Sequence, residues 1–320
     1  MSSRPVILSL VVVVYDMPEQ AKRTLHTLSP AYQRNVDVSD YEVIVVENES
    51  PRLLGAECVM GYGPNFRYVS SNNRASSPIS AVNRGASEAR GRMLGLMVDG
   101  ARLITPGVVE LALLAERADP EAIVSVPGYH IGSELQQRAV NSGYDSEVEA
   151  RLLASIGFPE DGYRLFDIAC FSGSCVGGFF RPYAESNCIC LSKRAFDLVG
   201  GYDERFVSPG GGYVNLDFYT RALETPGSRL FVTPGEGTFH QYHAGITTGG
   251  IRDDARERFM DEIHAEYRAL RGHDFVLPTR EAALLGRIPP NAWRFVGQSA
   301  RQWTRAGEAP EETASESPSG

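Results

Sequence analysis

No apolar run in this sequence is long enough to cross a bilayer. The longest, Pro5 to Leu10 continued by Val11 to Tyr15, falls short of the ~20 residues a spanning helix needs. It also lacks the small-residue cleavage site of a signal peptide. Cysteine is scarce and odd in number, five in 320 residues. That argues against a disulfide framework and for a reducing compartment, the cytoplasm. The spacing of Cys170, Cys175, Cys188 and Cys190 matches no usual zinc pattern, so these residues read as small buried hydrophobes. Basic residues are also short: 31 Lys and Arg stand against 40 Asp and Glu, a formal net charge of −9. Such a chain gains nothing from counterion release, which argues against nucleic acid as a partner, although a local cation can still face a small anionic ligand. No G-x-G-x-x-G follows the first strand, which argues against an NAD-dependent dehydrogenase, and no H-E-x-x-H is present.

What is there is an ordinary globular balance, 42% hydrophobic and 22% charged. Val6 to Val14 is an apolar, β-branched run of the kind buried on both faces of a parallel sheet. It ends at Tyr15-Asp16, where Asp16 and Glu19 form a capping box for a helix with Ala21, Leu25, Leu28 and Tyr32 on one face. Strands follow at Tyr41 to Val46, Phe66 to Val69, Met93 to Val98 and Ala122 to Val126. Between them a helix carries Ile79, Val82, Ala86 and Ala89, and another opens at Thr105-Pro106. Repeated β-α-β units predict a doubly wound, mostly parallel sheet with its ligand at the carboxyl ends of the strands, where Asp16, Glu47 and Asp99 fall.

After about Gly128 the pattern loosens. Ser146 to Ser155 reads as a helix with a Ser146–Glu149 capping box, and Asn187 to Leu191 as a strand before a short helix. A helix from Val214 carries Arg221, and Ile251 to Leu270 is a long helix. Trp293, Phe295, Val296 and Trp303, interleaved with arginines, either pack back on the domain or form a membrane-surface or partner-docking face. The residues after Ala306 read as a disordered tail.

Asp99 ends an apolar strand, where a carboxylate is costly unless negative charge is needed. A divalent cation bridging diphosphate oxygens is such a need; the alternative is an Asp-Gly turn. His240 and His243 lie three apart on a Gly-rich segment and can complete a site for an Mn²⁺-class ion. Glu47 is either an acceptor for a base or ribose or a solvated strand end. Arg74 and Arg84 either reach phosphates or lie on the surface.

Taken together, these segments resemble the GT-A glycosyltransferases, in particular family 2, from about Pro5 to His243. The stretch VVVVYDMPEQAKRTLHTL is similar to the family's first strand and helix, with Tyr15 and Asp16 flanking the base. YEVIVVENES is similar to the strand whose first acid, here Glu47, binds the base. SAVNRGASEARGRMLGLMVDGA resembles the A-x-N-x-G…D-x-D stretch, with Asn83, Arg84 and Gly85 in the helix and Val98 and Asp99 in the metal motif. CICLSKRAFDLVGGYDERF resembles the acceptor-side segment. The resemblance implies a GT-A fold, with residues 1–127 as the donor half, 128–250 as the acceptor half and 251–305 as a helical extension. It implies transfer of a sugar from a UDP- or GDP-linked donor to a hydroxyl acceptor, with Mn²⁺ or Mg²⁺ as cofactor.

Two departures stand out. The metal motif reads Asp99-Gly100-Ala101, so its last acid is missing and His240 or His243 must help hold the ion. Where inverting relatives carry Glu-Asp, this chain has Val214-Asn215, and VNLDFYTR is closer to the retaining polypeptide N-acetylgalactosaminyltransferases. Asn215 cannot act as a base, though it can hydrogen-bond the sugar. Asp217 is either a base facing the cleft or the i,i+4 partner of Arg221. The expectation is a retaining enzyme; the alternative is a non-catalytic nucleotide-sugar-binding scaffold.

Overall fold

The computed structural model describes residues 5–74, 77–243 and 253–307. β1 (Leu8–Val14), β2 (Tyr41–Asn48), β3 (Phe66–Ser71) and β4 (Met93–Met97) alternate with α1 (Pro18–Leu28), α2 (Ala56–Met60) and α3 (Ile79–Glu88). β1, β2 and β4 are buried along their whole length, as parallel strands covered by helices on both faces require. β1 pairs in parallel with β2, from Leu8↔Tyr41 to Val14↔Glu47, and with β4, from Leu8↔Met93 to Val12↔Met97. The chain therefore leaves β1 at Tyr15-Asp16 and β4 at Val98-Asp99 along one edge. α3 lies tight against β1 because residue 85 has no side chain: a Cβ on Gly85 would fall 2.3 Å from Val11 Cγ1.

Beyond this half come β5 (Arg102–Ile104), α4 (Val108–Ala118), β6 (Ala122–Ser125), β7 (Gly128–Ile131), α5 (Gln136–Ala139) and α6 (Ser146–Ser155). They are followed by β8 (Ala169–Phe171), β9 (Ile189–Ser192), α7 (Lys193–Val199), α8 (Val214–Leu223), β10 (Arg229–Val232) and β11 (Thr238–His240). α9 (Asp253–Arg271), β12 (Ala282–Leu284) and α10 (Trp293–Gly307) complete the described chain. The large sheet has the order β12-β10-β6-β9-β4-β1-β2-β3. It is parallel except for β9, which runs antiparallel to both β4 and β6. Strands from both sides of residue 127 thus share one sheet. A smaller sheet, β5-β11-β7-β8, rests on an aromatic cluster. The Tyr129 ring stacks on Phe171 and Phe239 and meets Phe166 and Phe295 edge-on, contacts that each add ~0.5–1.5 kcal/mol beyond area burial.

Several local expectations are corrected. Asp16 does not cap α1; Met17 holds the cap position without a side-chain bond, because Asp16 sits in the left-handed region at φ 53°. α6 is capped by Asp145, whose carboxylate accepts from the amides of Glu147 and Val148, leaving Ser146 as its first residue and Glu149 buried. α4 starts at Val108 rather than at Thr105-Pro106; Thr105 is buried and its hydroxyl accepts from the Gly237 amide at 2.9 Å. In α10, Phe295 packs inward, yet Trp293 and Trp303 are 62% and 58% exposed, so the stripe divides between the two expectations. Residues 308–320, the expected tail, and 244–250, which include Gly245, lie outside the described residues, as do 251–252 at the start of the expected long helix. No helix among the described residues is long and apolar enough to cross a membrane. All five cysteines are free.

Candidate active site

Asp99 leaves β4 half-buried, and its Oδ1 is taken by the Ala101 amide at 2.8 Å. That turn directs Oδ2 toward two imidazoles: His240 Nε2 lies 3.2 Å away and His243 Nε2 3.7 Å away. The two Nε2 atoms are 3.1 Å apart, and the ligand atoms of the trio all fall within 4.8 Å of one another. Thr24 on α1 aligns the segments that carry them. Its hydroxyl donates to the Gly100 carbonyl and accepts from the Arg102 amide and the Gln241 side chain. Arg23 and Gln20 bind Gln241 and the Tyr242 carbonyl, while Glu149 accepts from the Tyr242 amide at 2.6 Å.

The tautomer of His240 follows from Gln136. The Gln136 amide nitrogen donates to the His240 carbonyl at 3.0 Å, so its oxygen faces His240 Nδ1. Nδ1 must therefore carry the proton, and the Nε2 lone pair points at Asp99. Burial drives the His240 pKa down to about 4, which keeps the ring neutral. Burial alone would raise the Asp99 carboxyl, but the facing His243 and His240 hold it well below the usual range. Burial would lower His243, and Asp99 outweighs it, leaving that ring raised. The lone pair and the carboxylate, 3.2 Å apart, can be met by the His243 Nε2 proton or by a cation held among the three side chains. One carboxylate and two imidazoles make a donor set suited to an Mn²⁺-class ion.

Two residues missed in the sequence belong here. Arg102 sits three positions after Asp99, 3.6 Å from its Oδ2. It is buried, and its Nε and Nη1 have no hydrogen-bond partner among the described residues. Only the i,i+3 spacing on a three-residue strand hinted at it. Glu185, on the approach to β9, holds Asn215 at 2.6 Å; no local pattern marks it.

Other expected residues are placed differently. Glu47 is buried, and its carboxylate is engaged by the amides of Leu54 and Gly55 and the Tyr68 hydroxyl. It shapes the loop after β2 and is not a solvated strand end. Asp16 pairs with Arg52 at 3.0 Å, and its amide donates to Ser50, so the loops after β1 and β2 form one wall with Tyr15, half-buried, beside it. Val98 is half-buried directly before Asp99. Arg84 pairs with Glu88 and Arg74 with Glu49 on the surface. Asn83 grips Tyr202. Asp217 is buried on α8. It is 1% exposed and pairs with Arg221 at 2.7 Å and with Arg271, so the i,i+4 alternative is the arrangement present. A cleft of about 570 Å³ opens beside Asn83, Tyr202, Arg221 and Arg271, and its charged groups largely compensate one another.

The decisive comparison is with protein families: residues 10–241 match the model described as glycosyltransferase like family 2. The chain belongs to that family. It is a glycosyltransferase with the GT-A fold. Among solved structures, S. aureus TarS 1-349 is 12% identical over 83% of this chain and 73% of that one, with a TM-score of 0.50. TarS 1-349 in complex with UDP-GlcNAc gives 12% identity, 82% and 67% coverage and a TM-score of 0.51. At that identity the likeness concerns the fold. The chain covers 40% of the chain in a further structure of S. aureus TarS. No curated protein matches.

Proposed function

We propose that this glycosyltransferase is metal-dependent and moves a sugar from a UDP- or GDP-linked donor to a hydroxyl acceptor. The observation that carries this reading is the convergence of Asp99 Oδ2, His240 Nε2 and His243 Nε2 beside the unsatisfied guanidinium of Arg102. Asp99, His240 and His243 would hold Mn²⁺ or Mg²⁺, which neutralises charge on the departing diphosphate. Arg102 offers two buried donors to the same oxygens. Tyr15, with Asp16 and the Glu47-anchored loop, borders the space for the base at the sheet edge. The UDP-GlcNAc complex of TarS makes a UDP-linked donor the first to try. The free cysteines fit the cytoplasm. Asn215 in place of an acid points to a retaining course in the sequence, but its bond to the Glu185 carboxylate at 2.6 Å favours an inverting one.

A thermal-shift titration tests the assignment. UDP, GDP and their sugar conjugates would each be added with Mn²⁺, Mg²⁺ or EDTA to the full chain and to an Asp99→Ala/His240→Ala variant. A ligand that binds the native state raises the melting temperature. The expected result is a metal-dependent shift for one nucleotide that the variant loses. A shift indifferent to both metal and mutation would favour the non-catalytic binding reading.

A further inference from the structure

We propose that Glu185 is the general base of this enzyme and that Asn215 is the residue that positions it, which makes the transfer inverting. The proposal rests on the donor-site assignment above and deepens it. Asn215 stands where a base would be expected and cannot ionise, but it does not stand alone. Its Nδ2 donates to Glu185 Oε2 at 2.6 Å, and its Oδ1 accepts from the Tyr202 hydroxyl at 2.6 Å. A carboxylate has thus been brought, from 30 residues away, to the side chain that lacks one.

The surroundings of Glu185 suit the role. Oε1 accepts from Ser174 at 2.8 Å and from Asn187 at 3.3 Å. All three donors are neutral, and no Lys or Arg pairs with this carboxylate among the described residues. A carboxylate has about four lone-pair directions, so three bonds leave one for an incoming hydroxyl. Glu185 is half-buried, neither sealed in the core like Asp217 nor swept by solvent.

Its position matches as well. β9 runs antiparallel to β4 with Leu96 opposite Ile189. The start of β9, with Glu185 four residues before it, therefore lies at the end of the sheet where β4 runs out toward Asp99. Beyond β9 the chain still follows the sheet, since Cys188 accepts from the Val126 amide at 3.1 Å. The base and the diphosphate side of the site therefore share one edge of the sheet.

In the step, the acceptor oxygen forms a bond to the anomeric carbon as the bond from that carbon to the diphosphate oxygen breaks. Its electron pair leaves on the nucleoside diphosphate, and the hydroxyl proton passes to the Glu185 carboxylate. Attack opposite the leaving group inverts the anomeric centre.

The test uses the full chain with Mn²⁺ and the nucleotide sugar chosen by the thermal shift, with water as acceptor. Nucleoside diphosphate release and the anomeric form of the freed sugar, followed by NMR, are the readouts. Glu185→Gln should slow release about 100-fold or more, within the range for general-base loss, and flatten the acid limb of the pH profile. The nucleotide-dependent thermal shift should survive, and Glu185→Asp should recover part of the rate. The wild type should release the inverted sugar first. Wild-type rates in Glu185→Gln, or a first product of retained configuration, would overturn the proposal, and the second readout needs no variant to fold. Absence of any nucleotide shift in the wild type would instead sink the donor-site reading. Binding without release would overturn the base assignment alone.

Discussion

Asn83 on α3 holds the backbone of Tyr202 from both sides, its Nδ2 donating to the carbonyl and its Oδ1 accepting from the amide, each at 2.9 Å. The Tyr202 hydroxyl in turn reaches Asn215. The asparagine of the sequence motif therefore ties the donor half of the sheet to the acceptor-side loop.

Asn83→Ala removes both bonds and strands two backbone groups. The expected cost is about 1–3 kcal/mol, measured by urea unfolding. Because Tyr202 sits between Asn83 and Asn215, turnover should fall more than nucleotide affinity. An equal fall in both would mean that Asn83 contacts the donor after all.

Glu149 gives a pH dependence of definite sign. Burial raises its pKa from 4.5 to about 7, so the folded state binds the extra proton. Its contribution to stability is complete below about 4.5 and is lost as the pH rises through about 7. The shift corresponds to about 3 kcal/mol. Glu149→Gln keeps an acceptor for the Tyr242 amide and has no charge to bury. The difference between variant and wild-type stability should grow in the variant's favour from pH 5 to pH 8. A difference that stays constant across that range would place the titration elsewhere.

How much of this could be read in the sequence depends on the range of the forces involved. The strands β1, β2 and β4 are apolar runs because both faces are buried, and Asp99 stood out as a charge ending such a run. His240 and His243 were visible through their spacing, and the structure brings them to Asp99. The antiparallel sense of β9 was not legible, since a four-residue apolar strand reads alike in either direction. Nor were the short strands of the second sheet. Asp145 displaced Ser146 as a cap because both are good cap residues and only geometry chooses between them. Glu185 escaped notice because its link to Asn215 exists only in three dimensions.

Asp217 should matter for stability. It is buried between Arg221 and Arg271, whose side chains are 26% and 16% exposed, and Arg271 also reaches Asp203 at 2.8 Å. Asp217→Ala leaves two guanidiniums facing each other without their shared anion. Removing one member of a buried pair costs about 3–5 kcal/mol, read as a lowered melting temperature with or without nucleotide. Asp217→Asn, which preserves shape and some hydrogen bonding, should cost less. Wild-type stability in both variants would show the network to be dispensable.

Arg102 is the residue whose surroundings call most directly for a ligand. A buried guanidinium with two idle donors is costly, and the ion pair with Asp99 at 3.6 Å meets only part of its need. If diphosphate oxygens fill the remainder, Arg102→Met should weaken UDP or GDP binding about tenfold to a hundredfold, the worth of a charge-assisted hydrogen bond of ~1.5–3 kcal/mol. Arg102→Lys, which keeps the charge but loses the fork, should fall between them. The free nucleoside, which has no phosphate, should bind all three proteins alike in calorimetric titration. Were Arg102 only a counterion to Asp99, Arg102→Met would alter Mn²⁺ affinity while leaving the diphosphate-over-nucleoside preference unchanged. The ratio of the two affinities separates these roles in a single set of titrations.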